Sequence, residues 1–190
     1  IYHAILAHIA GEIYKPEWEE GRPWLIEDAA QAFGALKNPT SLIQTWSFYP
    51  AKILGCKGDA GAITTNDEGY YEYIKEARNH FKTDNRDFGG NYRMDNLQAA
   101  LLNIKIQHID EILARRKEIA EMYKDKLRGV EVANKESKNW QDFIIRVPDN
   151  RVGEIVLSKR DALSLFLKRE NIETLKNEYP FTPEYPKLPL

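Results

Sequence analysis

The chain has one cysteine, two methionines and four histidines among 190 residues. A lone thiol at Cys56 forms no internal disulfide, which argues against a secreted scaffold held by cystines. His3, His8, His80 and His108 lack metal-ligand company, so no metal site is expected. No apolar run approaches the length needed to cross a bilayer, and no membrane partner is expected. Net charge is low, at -2 with a pI near 6.2. Without a basic stripe, nucleic acid is not an expected partner either. Arg115 and Arg116 stand in a helical stretch with glutamates nearby and read as a solvated face. There are no internal repeats and no low-complexity tract. The string at 58–61, Gly-Asp-Ala-Gly, lacks the Gly-Lys-Ser/Thr ending of a phosphate loop. There is no initiator methionine. The chain opens on Ile-Tyr-His-Ala-Ile-Leu, as if inside an apolar strand, without the flank and cleavage site of a signal peptide. A missing upstream segment is expected.

What is present is ordinary for a soluble domain: 43% hydrophobic and 29% charged residues. The length allows one domain, or two small ones, with a real core. The run Ala4 to Ile9, closed by Gly11, reads as a buried strand. Pro16 to Arg22 reads as a loop. Trp24 to Ile26 is a second strand that stops at Glu27 and Asp28. A short apolar run ending in a carboxylate is how a parallel strand delivers a functional group at its carboxyl end. Thr45 to Phe48 and Ala60 to Thr65 are further strand candidates. Thr65 and Glu68 have capping-box spacing before a helix to about His80. After a polar loop at Lys82 to Gly90, Asp95 and Gln98 make a capping pair for one long helix. Leu97, Leu101, Ile104, Ile109, Ile112, Ile119 and Met122 form its apolar face, and Gly129 stops it. Asp142 to Val147 reads as a strand. Arg160 to Lys168 reads as a helix started by Ser158 and Asp161. A proline-rich tail follows from Tyr179. The alternation of strand and helix predicts an α/β sheet.

Chemistry-bearing residues gather in four stretches. They are Glu27-Asp28-Ala29-Ala30-Gln31, Ser47-Phe48-Tyr49-Pro50-Ala51-Lys52, Gly55-Cys56-Lys57-Gly58-Asp59-Ala60-Gly61, and Gly90-Asn91-Tyr92-Arg93-Met94-Asp95. Taken singly, each has a plain structural reading. Asp28 is a strand-end cap, and Lys52 a solvated loop lysine. Ser47 and Gln31 are local hydrogen-bonders, and Asn91 is a turn residue. Cys56 is a small packed residue. Trp140 and Phe143 are packing residues of a small domain.

In order and spacing these stretches closely resemble the DegT/DnrJ/StrS family of pyridoxal-phosphate (PLP) nucleotide-sugar aminotransferases, over almost the whole chain. The string Phe48 to Gly61 follows the family's lysine motif nearly residue for residue. The resemblance implies an aspartate-aminotransferase-like fold (fold type I). Residues 1–92 would be the carboxyl-terminal part of the cofactor-binding large domain, 93–128 a connecting helix, and 129–190 an incomplete small domain. It implies that Lys52 bonds covalently to the cofactor aldehyde and then moves protons as acid–base catalyst. Asp28 would face the pyridine nitrogen and keep the ring protonated, a stronger electron sink. Gln31 would hold the ring's phenolic oxygen and Ser47 the phosphate. Asn91 would reach the cofactor phosphate of a neighbouring subunit in a homodimer. Gly58 and Gly61 would let the chain turn tightly after the lysine.

The implied reaction is amino transfer, with glutamate the expected donor, to a keto sugar of a nucleotide-linked deoxysugar in the cytoplasm. It would follow ping-pong kinetics. In the branch that dehydrates instead, a histidine replaces the lysine, and Lys52 argues against that branch. Two rivals remain: a non-catalytic or split-subunit fragment that works only with a partner chain, and a PLP lyase or decarboxylase. The family's amino-terminal half, which supplies a phosphate-holding helix start and a ring-stacking aromatic, has no counterpart here. The isolated 190-residue chain is therefore expected to be inactive. Leu36 to Trp46 is shorter than the family's usual hairpin, and Phe81 stands where a glycine is common.

Overall fold

The computed structural model describes residues 4–14, 25–37, 39, 41–83, 88–147 and 158–175. The loop expected at Pro16 to Arg22, Trp24 and the tail from Tyr179 lie outside them. The chain divides into two compact units, Ile1–Ile145 and Arg146–Leu190.

In the first unit a four-stranded sheet runs in the order β1-β2-β3-β4. Its strands are β1 (Ala4–Ala7), β2 (Leu25–Asp28), β3 (Ile43–Ser47) and β4 (Gly61–Thr65). The first three are parallel, and β4 returns antiparallel to β3. This is the expected α/β class, with a mixed sheet. The first strand is shorter than its apolar run, because Ala10 and Gly11 turn the chain with φ of 53° and 78°.

Register assigns the faces. Ala7, Asp28 and Thr45 lie side by side, as do Leu6, Glu27 and Gln44. Alternation then puts Leu6, Glu27, Gln44 and Trp46 on one face, and Ile5, Asp28, Thr45, Ser47 and Ile63 on the other. The first face is closed: Leu6, Glu27 and Gln44 are buried. It is wired by hydrogen bonds running from the Ser41 hydroxyl to Glu27, from Gln44 to the Ser41 carbonyl, and from the Thr64 hydroxyl to Gln44. The second face is the open one, with Ile5 73% and Ile63 49% exposed.

The core lies beyond the carboxyl end of β3. Phe48, Leu54, Cys56 and Leu102 are buried together, with Phe33, Trp46, Met94 and Ile109 against them. Phe33 meets both Trp46 and Phe48 edge-on, at 5.8 and 6.0 Å between centroids. Cys56 is the packed residue the sequence suggested, its thiol directed at the Phe48 carbonyl.

The helices depart from the sequence reading in three places. Helix α1 (Glu68–Ala77) is capped by Asp67, whose carboxylate accepts from the Tyr70 N–H, and not by Thr65. The Thr65 hydroxyl accepts from Asp67 one step earlier. The single long helix is two: α2 (Asn96–Lys105) and α3 (Ile109–Lys126), joined by a 3-10 turn at Ile106–His108. Within α2 the helical period sets Leu97 and Ile104 on one side, 77% and 61% exposed, and Leu102 on another, where it is buried. Asp95 stands at the start of α2 without a side-chain cap, and the Gln98 side chain expected to pair with it is used elsewhere. α3 ends at an extended Leu127, two residues before Gly129.

Strands β5 (Glu131–Val132) and β6 (Ile145–Arg146) pair as a short ribbon, the remnant of the longer strand expected at 142–147. Between them Trp140 is buried and stacks on Phe143 at 5.8 Å. In the second unit α4 (Lys159–Arg169) starts as expected, with the Ser158 hydroxyl accepting from the Asp161 N–H. Among the described residues no helix is long and apolar enough to cross a membrane, and no cluster of metal-ligand type occurs.

Candidate active site

Parallel neighbours end at the same edge of a sheet. Asp28 is the last residue of β2 and Ser47 the last of β3. Their side chains therefore share one face at the carboxyl edge, where open α/β sheets bind ligands. Asp28 is locked locally, its Oδ1 accepting from the Ala30 N–H at 3.0 Å. Among the described residues Oδ2 has no hydrogen-bond partner and remains free to face a cationic ring nitrogen. Ser47 Oγ accepts from the Tyr49 N–H at 3.3 Å, which leaves its own proton to donate. Gln31 Oε1 accepts from the Ala10 N–H at 2.6 Å, which leaves its amide N–H pair as donors. The valences left over are a carboxylate oxygen, a hydroxyl proton and an amide donor. They match a pyridinium, a phosphate and a phenolate in kind.

Lys52 follows Ser47 on a loop whose neck is shut by backbone bonds from Phe48 N–H to Ala60 and from Cys56 N–H to Phe48. The Lys52 N–H donates to the Tyr49 carbonyl at 2.8 Å. Other elements hold the loop from outside. The Gln98 amide of α2 accepts from Lys57 N–H at 2.9 Å, and the Lys105 ammonium reaches the Gly55 carbonyl. This is why Gln98 does not cap its own helix.

The glycine expectation needs correction. Neither Gly58 nor Gly61 has the positive φ that a glycine-only turn requires. Each is small for lack of room: a Cβ would sit 3.1 Å from the Gln98 amide at Gly58 and 2.7 Å from the Trp46 carbonyl at Gly61. Gly55, which the sequence did not single out, is tighter still. A Cβ there would lie 2.4 Å from the Pro50 carbonyl oxygen, an atom of the lysine loop's own backbone. A backbone oxygen cannot swing aside as a side chain can. Gly55→Ala should therefore cost at least about 2 kcal/mol of stability. A urea melt of the variant against wild type, with the drop in midpoint converted through the m-value, checks this.

Asn91 does not join the others. It is exposed, on a segment bridged to Asn79 between α1 and α2. The resemblance assigns it to a neighbouring subunit's cofactor, and its position within this chain does not bear on that.

Sequence reading missed the segment that binds the two loops together. Asn139, 1% exposed, donates from its amide to the carbonyls of Gln31 and Phe33, both at 2.9 Å. Ser137 and Asn134 donate to the Ala10 carbonyl. Gln141 reaches the lysine loop. The available signal was a polar run, Asn134 to Gln141, without the apolar period of a strand or helix. Buried polar side chains in such a run are spent on backbone groups. A cleft of about 360 Å³ lined by Phe33, Trp46, Ile109 and Leu113 opens by Trp46, on the sheet face opposite Asp28, and is not this site.

Residues 19–186 match the DegT/DnrJ/EryC1/StrS aminotransferase family. The chain is 37% identical over 176 residues to a dTDP-3-amino-3,6-dideoxy-alpha-D-galactopyranose transaminase of Aneurinibacillus thermoaerophilus, covering 86% of this chain and 46% of that protein. Among solved structures, Streptomyces venezuelae DesV in complex with a ketimine intermediate superimposes with a TM-score of 0.74 at 29% identity, over 96% of this chain and 53% of that one. Bacillus subtilis NtdA with bound cofactor PMP gives 0.52 at 30% identity, over 66% and 32%. The chain thus spans about half the length of the curated relatives it matches.

Proposed function

The chain belongs to the DegT/DnrJ/EryC1/StrS aminotransferase family, and from that premise we propose that the protein carrying it is a PLP-dependent aminotransferase. It transfers an amino group, from glutamate as donor, to a keto sugar linked to a nucleotide. One observation carries this reading. Asp28 and Ser47 end adjacent parallel strands on one face, with Lys52 on the loop that follows.

When bound, the cofactor supplies an electron sink for the carbon that gains or loses the amine. The chain's own residues do the rest. Asp28 Oδ2 would hold a proton on the ring nitrogen through its charge. Gln31 donates to the phenolic oxygen, and Ser47 donates to the phosphate. The Lys52 amine would anchor the cofactor and would serve as the acid–base group that moves a proton at the reacting carbon. Charge fixed in place before reaction stabilises the transition state without reorganisation at that moment.

The finer assignments belong to the same proposal. Residues 1–92 are the carboxyl-terminal part of the large domain, 93–128 the connection and 129–190 part of a small domain. The working form is a homodimer in which Asn91, exposed on its bridge, serves the partner's site. The cytoplasm suits a chain whose one cysteine is a free, buried thiol.

The test incubates the full-length protein with PLP, glutamate and a panel of nucleotide-linked keto sugars. Amino sugar and 2-oxoglutarate should form in equal amounts. Release of carbon dioxide or ammonia without amino sugar would make it a decarboxylase or lyase instead. The 190-residue chain alone should give no sustained turnover.

A further inference from the structure

Gln141 makes two hydrogen bonds that between them enclose Lys52. Its Nε2 donates to the Ala51 carbonyl at 3.0 Å, and its Oε1 accepts from the Ile53 N–H at 3.2 Å. The orientation of the amide is fixed by this pairing, since a flipped amide would set donor against donor and acceptor against acceptor. The Ala51 carbonyl belongs to the peptide plane before the Lys52 Cα, and the Ile53 N–H to the plane after it. Only φ and ψ of Lys52 lie between the two planes. Pinning both planes to one rigid amide fixes those angles, and with them the direction of the Cα–Cβ bond that aims the amine.

Gln141 is itself held hard. Its N–H donates to Asn139 Oδ1 at 3.0 Å, and its carbonyl accepts from the Arg116 guanidinium at 3.2 Å. Arg116 also donates to the Trp140 carbonyl at 2.9 Å. Trp140 has φ of 51°, a left-handed backbone that a bulky residue adopts only when its surroundings compel it. Here they do. The Trp140 N–H donates to Ser137 Oγ at 3.0 Å, the ring is buried against Phe143, and the Lys124 ammonium lies 4.4 Å above it. The strained residue is thus fixed at both of its backbone polar groups, and it delivers Gln141. The same short segment fixes the loop after Asp28 through Asn139. One brace therefore sets the position of the lysine relative to the carboxylate.

We propose that Gln141 is the positioning residue for Lys52: it sets the amine's approach without touching cofactor or substrate. This rests on the reading of Lys52 as the cofactor lysine, and the experiment separates the two. The full-length protein is compared with Gln141→Met, which keeps length and loses both bonds. Gln141→Glu keeps the acceptor for Ile53 and loses the donor to Ala51. Lys52→Ala is the control for the reading itself. Amide exchange is measured first without cofactor. Exchange across 50–56 should rise about fivefold or more in Gln141→Met and less in Gln141→Glu, with β4 and α1 unchanged. With PLP added, the pH midpoint of the visible band should move. kcat should fall about tenfold or more, while the KM for glutamate changes by less than about threefold. Gln141→Glu should lie between wild type and Gln141→Met.

Exchange that rises equally over the whole unit in both variants would make Gln141 a general stabiliser and overturn the proposal. Unchanged midpoint and kcat in Gln141→Met would do the same. If Gln141→Met does not fold, Gln141→Glu is judged by these criteria. A visible band that survives Lys52→Ala would sink the reading of Lys52, whatever the exchange data show.

Discussion

Lys52→Ala protein is expected to lose covalent attachment of the cofactor and at least about a thousandfold in transamination rate. Two functions vanish together: the anchoring bond and the acid–base amine. The immediate neighbours cannot replace them, because Ala51, Ile53 and Leu54 carry no ionisable group. The fold should survive. The Lys52 N–H to Tyr49 bond and both Gln141 bonds use backbone atoms that alanine retains. Borohydride reduction followed by mass analysis reads the attachment directly. Wild type should carry one cofactor on the peptide containing Lys52, and the variant none. Cofactor trapped on another lysine, Lys57 for instance, would show that the wrong amine has been chosen.

Asp28→Asn should lower kcat by about a hundredfold to a thousandfold while leaving the melting temperature nearly unchanged. The asparagine carbonyl oxygen can still accept from the Ala30 N–H, so the local turn persists. What is lost is the negative charge at the atom left facing the ligand. The ring nitrogen would then hold its proton less readily, and the electron sink would weaken. The measurement pairs single-turnover rates with glutamate against thermal melts of the same samples. A fall in stability matching the fall in rate would mean that Asp28 is a structural cap. A rate near wild type would remove it from the chemistry altogether.

Much of this was legible along the chain because it is local. The run ending at Glu27-Asp28 carries both the strand and the position of its last carboxylate, since the apolar residues and the carboxylates that close them are consecutive in the chain. The stretch from Ser47 to Lys52 carries its chemistry in consecutive residues. The start of α4 was readable because a cap is a contact between residues three apart. The cap of α1 was misassigned to Thr65 because three polar residues, Thr65, Asn66 and Asp67, compete for that role. Only the backbone angles decide which of them stands at the boundary. The 3-10 turn at Ile106–His108 left no mark in the apolar period, which drifts too slowly to reveal a three-residue tightening.

By itself, then, the sequence determined the α/β class, the strand-end carboxylate at 28, and the consecutive string from Ser47 to Lys52. Each depends on residues close in the chain. Tertiary structure decided the rest: that the closed sheet face carries Glu27 and the open one Asp28, that Gly55 rather than Gly58 is the tightest glycine of the lysine loop, and that Gln141 holds the backbone on both sides of Lys52. The hydrogen bonds that build this brace span as many as 127 positions, between Ser137 and Ala10 for example. A side-chain amide can satisfy any buried carbonyl within reach, and only the folded chain determines which one that is.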